Sequence, residues 1–145
     1  MYNTQKVIND LLVEIFHHIL SIEGSVLRER GVKLSMNEIH VLEAIQKEEE
    51  PTMSHIAKRL RVTVGTLTTA VNRLVEKGYV DRKREKTDKR KVLVSLTTKA
   101  YETMKIHDEF HKDMIGSVIE DMKIGDDEVL VRSLQNISDY FKNKY

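Results

Sequence analysis

A mainly helical fold with one small β-wing is predicted by three observations. Apolar residues recur at helical spacing along most of the chain, as in Met53, Ile56, Ala57 and Leu60 at i, i+3, i+4, i+7. Only two stretches have strand character, Tyr79-Val80 and Val92-Leu93-Val94-Ser95-Leu96, and the DRKREKTDKRK between them is too charged to bury. Proline occurs once and glycine six times in 145 residues, which leaves little for long irregular loops.

The elements follow in order. A long helix is expected over roughly Thr4 to Arg30, striped by Val7, Ile8, Leu11, Leu12, Ile15, Ile19, Ile22 and Val26, widened by Phe16 and Leu20, and ended by Gly31. A stripe this broad has more than one surface to cover. Ser35-Met36-Asn37-Glu38 is a capping box, with Glu38 reaching back, for a helix with Ile39, Leu42 and Ile45 inside. That helix runs to Glu48-Glu49-Glu50, an acidic end that opposes the dipole and has no local reason beyond solubility. After Pro51, Thr52 caps a short helix that Arg61 and Val62 interrupt. Thr63 caps the next, whose inner face is Leu67, Ala70, Val71, Leu74 and Val75 and whose end is Gly78. Its outer face carries Gly65, Thr68, Thr69, Asn72 and Arg73 in place of the usual Glu/Lys pairs. Hydroxyls, amides and guanidinium groups read base edges and phosphates in a major groove. Alone, this face fits an ordinary Thr-rich surface helix equally well, because helix-turn-helix patterns are short. Beyond the wing, Thr97 caps a long helix over about Thr98 to Met122, with Ala100, Met104, Phe110, Met114, Val118 and Met122 apolar. A break at Lys123 to Asp126 precedes a last helix, Asp127 to Lys142, whose Leu130, Leu134, Ile137 and Phe141 form a coiled-coil-like seam.

Charge decides between these readings. The chain is nearly neutral at +1, yet Lys58 to Lys91 holds twelve Lys/Arg against four acids, a net +8, and the remainder is −7. Positive charge concentrated on one module is the electrostatic footprint of nucleic-acid binding. A helix-turn-helix followed by a basic two-stranded wing is a winged helix. The length suits one domain, 1–145, with the winged helix at about 35–97 and flanking helices at about 4–30 and 98–145. The absence of cysteine excludes disulfides and thiol chemistry and fits a reducing compartment. No apolar run approaches the roughly 20 residues that span a bilayer, and no signal-peptide pattern opens the chain. A cytoplasmic protein is expected. No nucleophile–base, paired-carboxylate or Gly-rich phosphate pattern supports an enzyme. A sequence-nonspecific architectural protein would carry apolar wedges on the wing, and this wing tip is polar.

Asp88-Lys89-Arg90 followed by Val94, Leu96 and Thr97 resembles the D-x-R-x-x-x-V-x-L-T signature of the MarR family of bacterial repressors, as does Leu74…Gly78-Tyr79-Val80-Asp81-Arg82. The resemblance extends from end to end of the chain. It implies a homodimer with interlocked N- and C-terminal helices, two recognition helices about one duplex turn apart, and an inverted-repeat operator. Within the family, IFHHILSIEGSVLRERG, SMNEIHVLEAI, VTVGTLTTAVNRLVEKGYVDR and FHKDMIGSVIEDM are similar to repressors of fatty-acid biosynthesis in streptococci and lactic-acid bacteria, whose co-repressor is long-chain acyl carrier protein.

On this reading Thr66, Thr69, Asn72 and Arg73 enter the groove, with Thr63 at the helix start and Gly65 allowing close approach. Ser54 and His55 contact phosphate. The resemblance places Arg90 in the minor groove, with Asp88 holding the wing or orienting Arg90. Arg82, Lys83, Arg84, Lys89 and Lys91 supply nonspecific attraction, and Lys89 stands where many relatives have a second Arg, losing the planar fork. For an acyl effector, Ile15, Ile19, Ile22, Val26, Ile39, Leu42, Met104 and Met114 are the candidate lining, and an ordinary packed core is the competing reading for each. Arg28, Arg30 and Lys33, with His107, His111 and Lys112, are candidates to face an acidic carrier protein. The alternative effectors are zinc and a small phenolic compound. His107 and His111 stand at i, i+4, and Glu23 and His40 could converge on them, but no cysteine or H-E-x-x-H pattern assists, so no metal or cofactor is assigned.

Overall fold

The computed structural model describes residues 3–145, which form two compact units that divide between Asp108 and Glu109. The first unit begins with a helical run of mixed geometry. The Asn3 side chain caps α1 (Thr4–Asn9), accepting from the Lys6 amide at 3.1 Å; a π-helical stretch, Asp10–Ile15, follows; α2 (Phe16–Glu29) completes the run. The sequence predicts one uninterrupted α-helix here, and neither glycine nor proline marks the wider turn. Val7, Ile8, Leu11, Leu12, Val13, Ile15 and Phe16 are each 42–57% exposed, so the first half of the run covers little of the core. Glu23, Gly24 and Leu27 are buried. Gly31, at φ +88°, ends α2 with paired backbone bonds, Gly31 N to Arg28 O at 3.0 Å and Val32 N to Leu27 O at 2.9 Å.

Three helices make the core. α3 (Met36–Lys47) buries Ile39, Val41, Leu42, Ala44 and Ile45, and the Ser35 hydroxyl caps it by accepting from Glu38 N at 3.2 Å. The reciprocal arm of the predicted capping box is not formed. Both Glu38 carboxylate oxygens instead accept from Lys77 Nζ, at 3.0 and 2.9 Å, because a charge-assisted bond outweighs a return to the backbone. α3 stops at Lys47, short of the acidic triplet, and Glu48 is extended at φ −84°, ψ 127°. α4 (Met53–Leu60) is capped by Thr52, whose hydroxyl accepts from His55 N at 3.1 Å, and it ends at Arg61 in the left-handed region, φ 55°. α5 (Val64–Glu76) is capped by Thr63, which accepts from Thr66 N at 3.1 Å, and it ends at Gly78, φ +83°. Leu67, Val71 and Leu74 of α5 are fully buried with Ile39, Leu42 and Ile56.

The wing is the antiparallel pair β1 (Val80–Arg84) and β2 (Val92–Leu96), in register from Val80 opposite Leu96 to Arg84 opposite Val92. Strand structure thus continues through Asp81–Arg84, which the sequence assigns to the charged tip. The ladder keeps the backbone bonded while these side chains stay in solvent, so their charge does not end the strand. Val94 N also donates to Pro51 O at 3.0 Å, and Thr52 bridges Leu93, so the middle of β2 is sewn to the start of α4. α6 (Thr98–Met122) starts as predicted: Thr97 Oγ1 accepts from Ala100 N at 3.4 Å and donates to Gly78 O at 2.7 Å. Its Ala100, Thr103, Met104 and His107 are buried.

The second unit, Glu109–Tyr145, holds the rest of α6 and α7 (Glu128–Lys144), joined by a turn with Lys123 at φ 54° and capped by Asp127, which accepts from Leu130 N at 3.0 Å. The seam is only partly covered: Leu130 and Ile137 are half-buried, whereas Leu134 and Phe141 are 54% and 43% exposed. Among the described residues no helix is long and apolar enough to cross a membrane.

Leu74→Ala removes a fully buried side chain from α5 and is expected to cost about 2–5 kcal/mol of unfolding free energy. Chemical denaturation measures this, and a loss below about 1 kcal/mol would contradict the packing described.

Candidate nucleic-acid interface

The buried stripe of α5 sets the rotation of the helix, and with it what faces solvent. Thr63, Gly65, Thr66, Thr69, Asn72 and Arg73 are all exposed, and Thr68 is half-buried toward the wing. The threonines are not free rotors in this state: Thr68 Oγ1 donates to Val64 O at 2.8 Å, Thr69 Oγ1 to Gly65 O at 3.3 Å, and Thr63 Oγ1 to Thr66 Oγ1 at 2.9 Å. With those hydroxyl protons turned to the protein, Thr68 and Thr69 offer lone pairs and methyl groups outward, the complement of base amino groups and thymine methyls. A Cβ on Gly65 would meet only Thr63 Oγ1, at 3.9 Å, so the first turn of α5 is open to close approach.

A groove of about 440 Å3 lies between α5 and the wing, lined by Ser54, His55, Thr68, Arg82, Arg90 and Lys91 among others. His55 Nδ1 lies 2.9 Å from the Glu50 carbonyl oxygen, which only an Nδ1–H can satisfy, so the exposed Nε2 is left for a partner outside the chain. At the wing tip, Asp88 Oδ1 accepts from Arg90 N at 3.0 Å, and the Asp88 carbonyl accepts from Lys91 N at 3.0 Å. Asp88 therefore braces the tip, while the Arg90 side chain is 96% exposed and touches the carboxylate only loosely, at 3.8 Å. Lys83, Arg84 and Lys89 are exposed. Arg82, expected to supply nonspecific attraction, also donates from its guanidinium to Asn72 Oδ1.

The acidic triplet after α3 acquires a reason. Glu48 pairs with Arg59 at 2.6 Å and Glu50 with Lys91 at 3.2 Å, so two cations of the basic module are held by this corner. The hydrogen bond from Lys91 to Glu50 and the Glu50 charge raise the lysine pKa above its usual value. Sequence reasoning missed these partners, which lie 11 and 41 residues apart. It also passed over Val64, which opens α5, is 47% exposed and lines the same groove; an apolar residue at the first turn of such a helix was the available signal.

The effector candidates do not share one open surface within the first unit. Ile39, Leu42 and Met104 are closed into the core at 0–1% exposure; Ile19 and Val26 are half-buried; Ile15 and Ile22 are exposed, as are Arg28, Arg30 and Lys33. Glu23 and His107 are both buried and meet directly, Glu23 Oε1 to His107 Nε2 at 2.8 Å. Burial opposes the nearby Glu43 carboxylate, but the Lys47 ammonium bonded to it and the charges of His107 and His40 hold its pKa below the usual range. That contribution to stability is present above the ordinary carboxylate pKa and lost as pH falls. In the second unit His111 and Met114 are half-buried, and His111 sits edge-on to Phe110 with ring centroids 5.6 Å apart.

A hydroxyl-rich helix presented beside a braced basic hairpin defines a DNA-binding regulator of the winged-helix class. The chain belongs to the MarR family, whose model matches residues 31–91. It is 33% identical over 106 residues to the HTH-type transcriptional regulator SarZ of Staphylococcus haemolyticus, covering 72% of this chain and 69% of that protein. It is also 33% identical over 92 residues to the transcriptional regulator ZitR of Lactococcus lactis, covering 63% of each. Among solved structures it is similar to Streptococcus pneumoniae FabT in complex with DNA, with a TM-score of 0.87 and 34% identity over 97% of this chain and 99% of that one. A complex of Staphylococcus aureus MepR with DNA shares the fold at TM-score 0.75 and 18% identity. The chain is accordingly a transcriptional regulator and not an enzyme.

Because Glu50 holds Lys91, Glu50→Gln is expected to raise affinity for a bound promoter duplex roughly two- to fivefold at low salt, the scale of an exposed ion pair, and to steepen the salt slope by about one unit. Fluorescence-anisotropy titrations across salt concentrations measure both, and unchanged affinity and slope would contradict the competition.

Proposed function

We propose that this regulator is a repressor of fatty-acid biosynthesis genes that binds an inverted-repeat operator as a homodimer, with long-chain acyl carrier protein as co-repressor. The observation that carries the DNA reading is Arg90, extended into solvent from a tip that Asp88 braces, on the same module as the exposed face of α5. The dimer is supported by terminal helices with apolar side chains that the chain itself leaves uncovered, from Val7 to Phe16 in one unit and at Val129, Val131, Leu134 and Phe141 in the other. Two-fold pairing would cover such faces and set two copies of α5 one duplex turn apart, acting in the cytoplasm where the DNA is.

The fatty-acid assignment is supported by the similarity to FabT across nearly the whole chain, together with the N-terminal, α3 and α6 segments quoted from the sequence. Arg28, Arg30 and Lys33 are exposed on the α2–α3 corner and fit the acidic surface of a carrier protein. In this reading the acyl chain enters among Ile15, Ile19, Ile22 and Val26, and the closed packing of Ile39, Leu42 and Met104 opens only when the chain is bound. A metal-responsive reading has one observation in its favour, the buried Glu23–His107 contact, since carboxylate and imidazole are both zinc ligands.

Arg90→Ala is expected to lose several-fold or more in operator affinity with thermal stability unchanged; equal operator binding by mutant and wild type in a gel shift would refute the wing contact. In the same assay, long-chain acyl carrier protein is expected to tighten the complex and zinc to leave it unchanged. No response to acyl carrier protein would refute the co-repressor, and a response to zinc alone would establish the metal reading.

A further inference from the structure

We propose that Asn72 and Arg82 form a donor-only fork that reads guanine and rejects adenine at one position of each half-site, an inference that rests on the DNA-binding reading. In β1, side chains alternate, so Val80 and Arg82 share a face. Val80 is buried, and Val94, directly opposite Arg82, is buried as well. Arg82 therefore lies on the face of the wing that turns toward the core and α5, and its guanidinium reaches Asn72. Both residues are exposed, and Thr68, one turn before Asn72, lines the α5–wing groove with Arg82.

The chemistry of this pair is asymmetric. A guanidinium carries N–H donors and no acceptor, so the Asn72 amide must turn its oxygen toward Arg82. The amide nitrogen, with two N–H donors, is then directed away from Arg82. An unattached asparagine reads adenine through both ends of its amide, accepting from N6 and donating to N7. With Oδ1 engaged, half of that recognition is gone. What the pair offers a base edge is the Asn72 N–H groups and the remaining N–H groups of Arg82, all donors. Guanine presents two neighbouring acceptors, O6 and N7; adenine would bring its own N6–H donors against them. The wing thereby changes what the recognition helix reads without changing the helix.

Selection of binding sites from a randomised duplex pool, followed by titration of guanine and adenine versions of the selected site, tests this. The wild-type chain is expected to prefer guanine by about tenfold at one position per half-site, the scale of one bidentate contact. Arg82→Met, which keeps the aliphatic stem over Val94 and removes the donors, is expected to turn that preference to adenine. Adding Asn72→Ala to Arg82→Met is expected to abolish the adenine preference, which ties it to the freed amide. Melting temperatures of both variants establish that they are folded. Adenine already preferred by the wild type, or a uniform loss across all sequences in Arg82→Met as for a plain phosphate contact, would overturn the fork while leaving the DNA reading intact. A wild-type chain that enriches no sequence overturns both.

Discussion

Leu67, Val71 and Leu74 are at most 1% exposed, and their spacing of four and three residues fixes how α5 is turned about its axis. With that stripe locked against Ile39, Leu42 and Ile56, a helix of 3.6 residues per turn has no choice about which residues face water. Thr66, Thr69, Asn72 and Arg73 are presented because their neighbours are buried. The caps complete the constraint. Thr63 starts the helix by accepting from Thr66 N, and Gly78 ends it at a φ that other residues rarely adopt, so the face is fixed in length as well as in rotation.

The wing is held to this helix by contacts of several kinds, none of them large alone. Thr97 donates to Gly78 O, Lys99 donates to Lys77 O at 2.9 Å and lies over the Tyr79 ring, and Arg82 donates to Asn72. On its other side, β2 is bonded to Pro51 and bridged by Thr52, next to the Glu50–Lys91 pair. Exposed ion pairs contribute little stability singly, but here they position charge. The strands are tied at their base by Thr97 and braced by Asp88 near their tip, which leaves the Arg90 side chain extended into solvent.

Local rules wrote much of this into the sequence. Ser35, Thr52 and Thr63 are found as caps, Gly31 and Gly78 as helix ends, and the apolar stripes of α3, α4 and α5 turn inward as their spacing requires, with Leu60, Ala70 and Val75 only half-buried at the margins. What was not legible depends on partners distant in the chain. Glu38 abandons its cap for Lys77, Glu50 meets Lys91, and Arg82 meets Asn72 only after the hairpin folds back. The π-helical stretch at Asp10–Ile15 has no local marker. Ile15 and Ile22 are as apolar as Ile39, Leu42 and Met104, and only folding separates them into exposed faces and closed core.

On this structure α5 and the wing are expected to hold duplex DNA together. Backbone amide NMR shifts of the chain, recorded with and without a promoter duplex that it retards in a gel, test it most directly. The largest changes are expected at 63–73 and 82–91, with the buried residues of α3 nearly unmoved. Changes confined to the terminal helices, with 63–73 and 82–91 silent, would contradict it.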